Sequence, residues 1–339
     1  MDLKDYNKLL HIFQENKISF VIHFAALKAV GESILMPLEY YENNIGGMIN
    51  LLKAMRAHNV KKLVFSSSCC VYTERADCPL MEDSEIGIGT NPYGTTKFIC
   101  ETLLHDLMRS DPEWSIVMLR YFNPVGAHKS ALIGEDPTGI PKNLMPYITK
   151  VAYGILPQLN VFGDDYPTPD GTGVRDYIHI VDLSKGHVKA IDKLAKPGCY
   201  VYNLGTGKGT SVLELVKMME QVSNKKVPYK IEPRRAGDLA ERYCDTKKAE
   251  KELNWIATKS LKEMCEDAWR WQTQNPKGLQ VRRSSEGLSP PNTLTAVSKN
   301  RDKCPDLSRS LRDPLDLADE YSHFKSGIFR PQKSPAVSC

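Results

Sequence analysis

The chain has 339 residues, 41% of them hydrophobic and 25% charged, and a net charge of +4. That is ordinary globular composition with room for more than one domain, and too little positive charge to mark a nucleic-acid surface. No apolar stretch approaches the roughly 20 residues needed to cross a bilayer, so no membrane partner is expected.

Residues Met1 to Asp5 carry no apolar signal region. Nine cysteines show neither a C-x-x-C pair nor zinc-like spacing. This predicts reduced thiols in a cytoplasmic protein and no metal site. Phe20–Phe24 is a short apolar run, read as a buried parallel strand. Glu39 to His58 places Ile45, Met48, Leu51, Leu52 and Met55 at helical spacing. Lys62–Ser67 reads as a second buried strand. Pro92 to Met108 reads as a helix, with Asn91 as N-cap and Pro92 in the first turn. Ser115–Arg120 reads as a third strand. This β-α-β-α-β order predicts an α/β fold with a doubly wound parallel sheet.

From Asn123 onward the chain becomes rich in Pro and Gly, and strand-like pieces return at Leu159–Phe162 and Tyr200–Leu204. A second, smaller C-terminal lobe over a cleft is expected. Residues 279–339 hold ten Ser and six Pro, with ten Lys/Arg against seven Asp/Glu, and read as a disordered tail. The densest glycine cluster, Gly205–Gly209, follows a strand and precedes a helical run from Val212 to Val222. Its third glycine falls one position early for a G-x-G-x-x-G phosphate loop, so it reads as a tight β-to-α turn.

Tyr93 and Lys97 lie four apart on the predicted helix, hence on one face. A nearby ammonium favours a phenolate, so this pair can supply a base for a sugar hydroxyl. Ser68 stands at the end of the second strand, where ligands of such sheets bind. Its hydroxyl can share the same substrate oxygen. Taken singly, Tyr93 and Lys97 could be a solvated helix face and Ser68 a strand-end satisfier of backbone groups. Together they favour catalysis. His23 and His179 are assigned to structure.

Ser68…Tyr93-x-x-x-Lys97 resembles the triad of the extended short-chain dehydrogenases/reductases. The words around it, His23–Ser33, Asn91–Gly94, Leu119–His128, Asn143–Tyr147 and Asp170–His179, are similar to those of the UDP-glucose 4-epimerase family, from about Asp2 to Gly278. The resemblance implies a Rossmann-like, NAD-dependent isomerase that interconverts UDP-galactose and UDP-glucose through a 4-keto sugar. Tyr93 would be the acid/base, Lys97 would hold the nicotinamide ribose and tune Tyr93, and Ser68 would bridge substrate and Tyr93. Phe24, Ala25, Ala26 and Lys28 would line the NAD site, with Asn44 and Tyr121 beside the nicotinamide. Asn123, Asn143 and Leu144 would meet the sugar, and Asn160, Val161 and Phe162 the uracil. Arg175 and Arg235 would grip the diphosphate, and Asp238 would accept from ribose hydroxyls.

The implied organisation is a partial NAD-binding domain over 1–123, a UDP-sugar lobe over 124–278 with some returns to the sheet, and the tail over 279–339. A homodimer is implied for the complete fold. By the resemblance, roughly 60 residues of the first half unit, with its phosphate loop, precede the matching part. Two alternatives therefore stand beside the epimerase. One is an impaired fragment or isoform that folds marginally and binds NAD poorly. The other is a related nucleotide-sugar dehydratase or decarboxylase, which typically has an acid after the triad Ser. Here Cys69 and Cys70 follow Ser68, in place of the epimerases' usual Ala-Thr. Arg242 stands where epimerases often carry Tyr or a smaller residue beside the hexose, which bears on N-acetylated sugars.

Overall fold

The computed structural model describes residues 1–137, 139–235 and 237–279. The chain opens with α1 (Tyr6–Glu15), capped by the Asp5 carboxylate, and β1 (Val21–His23). Two short helices follow, α2 (Val30–Leu35) and α3 (Pro37–Tyr41), then a π-helical segment over Glu42–Gly46, then α4 (Gly47–Ala57). The expected single helix from Glu39 to His58 is thus interrupted. A π turn inserts an extra residue, and here it carries Asn44 inward. The Asn44 amide accepts from Leu27 N (2.8 Å) and donates to Leu27 O (3.0 Å) and Thr96 Oγ1 (3.0 Å).

Next come β2 (Lys62–Ser68), α5 (Pro92–Ser110) and β3 (Ser115–Tyr121). Asn91 caps α5 by accepting from Gly94 N, with Pro92 in the first turn, as the sequence predicts. Beyond β3 lie β4 (Asn123–Val125), α6 (Leu144–Tyr153), β5 (Leu159–Phe162), β6 (Val174–Arg175) and β7 (Tyr177–His179). Then follow α7 (Ile180–Ile191), β8 (Gly198–Leu204), β9 (Thr210–Ser211) and α8 (Val212–Ser223). The described chain closes with β10 (Tyr229–Glu232), β11 (Glu241–Arg242), α9 (Lys247–Leu253) and α10 (Leu261–Gln274). The expected tail lies outside the described residues except for Leu279.

The main sheet has the order β1-β2-β3-β8 and every pairing is parallel, which makes the fold α/β with a Rossmann-like sheet. Side chains alternate between its two faces. Val21, Leu63, Phe65, Ile116 and Met118 pack under α1, α4 and α5. Ile22, Val64, Val117, Leu119 and Tyr202 pack under α7 and α9 on the other face. Among the described residues, β1 pairs on one edge only. A third apolar core gathers α6, α8 and α10 around β5, with Ile148, Leu159, Val161, Leu215 and Cys265 at its centre. Strand β4 pairs with β7, and β6 pairs with β9 and β11; these short ladders tie that lobe to the end of β3.

Beneath the carboxyl edge of the sheet lies a buried ion pair. Glu101 of α5 accepts from Arg120 of β3 (Nη2–Oε2 2.7 Å, Nε–Oε1 3.0 Å) and from Ser67 Oγ of β2 (2.5 Å). Arg120 also donates to Glu82 O (2.8 Å) and Tyr72 Oη (3.1 Å). Both side chains are almost wholly buried. Removing one partner leaves the other charge uncompensated in a dry interior. Arg120→Ala is therefore expected to lower the urea-unfolding free energy by about 3–5 kcal/mol. A loss below about 1 kcal/mol, the scale of a surface pair, would show that the pair does not hold α5 to the sheet.

Candidate functional site

The carboxyl ends of the parallel strands collect the predicted catalytic residues. Ser68 ends β2 and is register partner to Tyr121, which ends β3. Phe24 follows β1 and is 49% exposed, so it is a wall residue and not core. Its ring meets His187 of α7 (4.8 Å between centroids), and His187 in turn meets the Tyr121 ring (5.4 Å). Ala25 and Ala26 are half-buried and Lys28 is exposed along the same loop. Asn44 holds that loop to α5 through the Leu27 backbone and Thr96. Its amide is therefore a tether in this arrangement.

On α5, Tyr93 is half-buried with Ser68 beside it. Burial, with the Cys70 sulfur nearby, pushes the phenol well above its ordinary value, while the neighbouring Ser68 hydroxyl acts the other way. The Lys97 ammonium donates to Ser66 O (2.6 Å) and sits 4.9 Å from the Phe65 ring centre. Burial depresses Lys97 itself to about 8, opposed by Cys100 and Glu101 nearby.

Cys69 and Cys70 form a short turn after Ser68, and Ser68 Oγ accepts from Cys70 N (3.2 Å). The Cys70 thiol is held down to about 6, first by its hydrogen bond with Cys69, then by the Ser68 bond and the positive fields of Arg175 and Arg242. The sequence reading missed this group. The adjacent cysteines are visible in the sequence, but the fields of Arg175 and Arg242 that reach Cys70 are not.

Across the cleft, Arg175, Arg235 and Asp238 gather on one side. Arg235 Nε donates to Asp238 (2.8 Å), Arg175 lies 4.0 Å from the same carboxylate, and the Arg235 guanidinium sits 4.7 Å from the Phe162 ring centre. Arg175 also donates to Val174 O and Leu239 O. Asn160 is exposed on β5, whereas Val161 is 1% exposed in the lobe core, so only its backbone can face a ligand. Asn123 N donates to Asp176 O (2.9 Å). Asn143 and Leu144 begin α6. Arg242 is buried and donates to the carbonyls of Thr73 (2.5 Å) and Ala76 (3.2 Å).

The Gly205–Gly209 turn is occupied by the protein itself. The Asp176 carboxylate accepts from Thr206 N (2.8 Å), Thr206 Oγ1 (2.6 Å) and Gly207 N (2.9 Å), and a Cβ at Gly205 would lie 2.5 Å from it. Those amides are not free to hold phosphate, which agrees with reading the segment as a tight turn. His179 is likewise structural. Its Nδ1 accepts from Val181 N (3.0 Å), which leaves Nε2–H to donate to Asp267 (3.2 Å).

The depressed Lys97 gives a stability signature. The unfolded chain keeps the lysine proton up to the ordinary 10.5, and the folded chain sheds it from about 8. Between those values the unfolded state binds more protons, so stability rises with pH. The unfolding free energy of the parent minus that of Lys97→Met is expected to climb from pH 8 to 10.5, by roughly 3 kcal/mol at one unit per 1.36 kcal/mol. A flat difference in urea titrations would contradict a buried, proton-shedding lysine.

Comparison with known proteins follows the same outline. The GDP-mannose 4,6 dehydratase family matches residues 1–268. A UDP-glucose 4-epimerase of Mus musculus is 57% identical over 280 residues, covering 82% of this chain and 81% of that protein. One from Bacillus subtilis (strain 168) is 57% identical over 278 residues, covering 82% of each. The solved UDP-glucose 4-epimerase of Bifidobacterium longum, in complex with NAD+ and UDP, superposes with a TM-score of 0.80 at 55% identity, covering 82% of this chain and 83% of that one. The enzyme from Stenotrophomonas maltophila, with bound NAD and formylated UDP-arabinopyranose, gives 0.78 at 50% identity, covering 81% and 82%. With this identity sustained over most of both chains, the protein belongs to the UDP-glucose 4-epimerase family.

Proposed function

We propose that this chain is an NAD-dependent UDP-glucose 4-epimerase that interconverts UDP-galactose and UDP-glucose. The observation that carries the reading is the placement of Ser68 beside Tyr93 at the carboxyl edge of the sheet, with Lys97 one turn further along the same helix. Such a pair takes a proton from a sugar hydroxyl and later returns it. Arg175 and Arg235 offer planar donors to a diphosphate, and Phe162 and the Asn160 edge offer a face to uracil. Holding the UDP end while leaving the hexose free to turn is what inversion at C4 requires.

The nicotinamide half of the cofactor fits what stands here: exposed Phe24, Tyr121, the half-buried Ala25 and Ala26, and Lys97 behind Tyr93. NAD, when bound, accepts and returns the C4 hydrogen as hydride, and its positive ring favours the Tyr93 phenolate. Lys97 would exchange the Ser66 carbonyl for a ribose hydroxyl. Lys28 would reach the cofactor from the loop after β1. The glycine-rich Gly205–Gly209 turn is filled by Asp176 and does not offer these amides to the phosphate half.

The dehydratase reading asks for a carboxylic acid after Ser68. Cys69 and Cys70 stand there, and the buried Glu101 is committed to Arg120 and Ser67. Among the described residues no helix is long and apolar enough to cross a membrane. A cytoplasmic setting and pairing of two copies are part of the proposal by likeness to the family.

The purified 339-residue chain is expected to carry NAD and to convert UDP-galactose to UDP-glucose. A protein free of NAD and without turnover would favour the impaired-fragment reading instead. In the active chain, Tyr93→Phe is expected to lower kcat by about 10²–10⁴-fold while UDP still binds. Undiminished turnover would remove Tyr93 from the acid/base role.

A further inference from the structure

The loop between β4 and α6 carries one carboxylate that reaches toward both halves of the cleft. Glu135 Oε1 accepts from Lys28 Nζ (3.2 Å) and from Asn143 Nδ2 (2.9 Å). Lys28 belongs to the loop after β1, on the cofactor side of the proposed site. Asn143 belongs to the start of α6, on the sugar side.

Two observations show that Glu135 is placed and not merely nearby. Its backbone is pinned: Trp271 Nε1 of α10 donates to Glu135 O (3.1 Å). The preceding Gly134 lies so close to that indole that a Cβ would stand 2.2 Å from a ring carbon. The second observation concerns Asn143. It occupies the N-cap position of α6, where an Asn side chain ordinarily accepts from the first-turn amides. Here it makes no cap hydrogen bond, and its amide turns to Glu135 instead.

That diversion fixes the orientation of the amide. An ionised carboxylate can only accept, so the Asn143 nitrogen must face Glu135. The Asn143 carbonyl oxygen is then presented away from it, as an acceptor for a hydroxyl donor. We propose that Glu135 is a positioning residue for substrate selection: it orients Asn143 so that Oδ1 is offered to a hexose hydroxyl. Its contact with Lys28 links that orientation to the cofactor loop. This rests on the epimerase reading of the cleft. The ion pair is partly exposed and adds little to stability; its effect is on which atom Asn143 shows.

The test is calorimetric binding of UDP and of UDP-galactose to the full chain. UDP lacks the hexose and reports the rest of the site. Glu135→Gln keeps the shape but can donate as well as accept, so it releases the amide to face either way. The ratio of UDP-galactose to UDP affinity is expected to fall about tenfold. Asn143→Ala should lower the same ratio, and adding Glu135→Gln to Asn143→Ala should lower it no further, as expected when one residue acts through the other. An unchanged ratio in Glu135→Gln, equal weakening of both ligands, or additive losses in the double variant would each overturn the proposal. A parent chain that binds neither ligand would instead overturn the epimerase reading, and the proposal with it; that outcome shows in the parent alone.

Discussion

The carboxylate of Glu101 ties α5 to two neighbouring strands whose own register is set by their ladder. It lies on α5, one turn beyond Lys97, and takes hydrogen bonds from Arg120 on β3 and Ser67 on β2. A helix lying over a sheet can slide and roll on apolar contacts alone, because these are not directional. A bidentate guanidinium–carboxylate pair cannot slide without losing its geometry. The pair therefore sets the azimuth of α5, and with it the direction of Tyr93 and Lys97. Ser67 adds the strand that ends in Ser68. Burying two charges costs solvation, and a well-packed apolar pair in their place can be equally stable. What the pair adds here is a fixed relation between a helix face and a strand end.

The electrostatics of the cleft follow from this placement. Lys97 sits beside Glu101 yet is depressed, because burial outweighs the neighbouring negative charge. Tyr93 is raised by burial and by the Cys70 sulfur. The protein by itself thus holds the phenol protonated and the lysine turned to a carbonyl. Cys70 moves the other way, first through its interaction with Cys69, then through Ser68 and the fields of Arg175 and Arg242. One strand end therefore separates groups whose proton affinities have been pushed apart, the condition for directed proton movement.

Much of this was legible in the sequence, and the limits are instructive. Asn91-Pro92 marked the start of α5, and the spacing of Tyr93 and Lys97 put them on one face, because caps and helical period are local. The parallel sheet followed from β-α-β order. The break in the helix from Glu39 to His58 was not legible, since the π turn at Asn44 answers to Leu27 and Thr96, far away in sequence. The partner that Lys97 takes in the fold was not legible for the same reason: the Ser66 carbonyl that accepts its ammonium lies on another element. Strand alternation turns the Val161 side chain into the core between Asn160 and Phe162, so its backbone alone shares their side of the strand. Glu135 gave no signal, because its partners at 28 and 143 meet it only in space.

The order of the main sheet has a consequence for how the chain reaches this state. β3 ends at Tyr121, and its neighbour β8 begins at Gly198. Everything from β4 to α7 forms a single loop between two adjacent strands. Parallel pairing at such separation is slow, since loop entropy must be overcome before contacts reward it. The sheet cannot be completed until that long excursion has returned. Folding should therefore finish as one event in which the lobe built on α6, α8 and α10 and strand β8 of the sheet lock together. Cutting the chain between 124 and 197 would sever neither lobe cleanly, because each keeps part of its core on the far side of the cut.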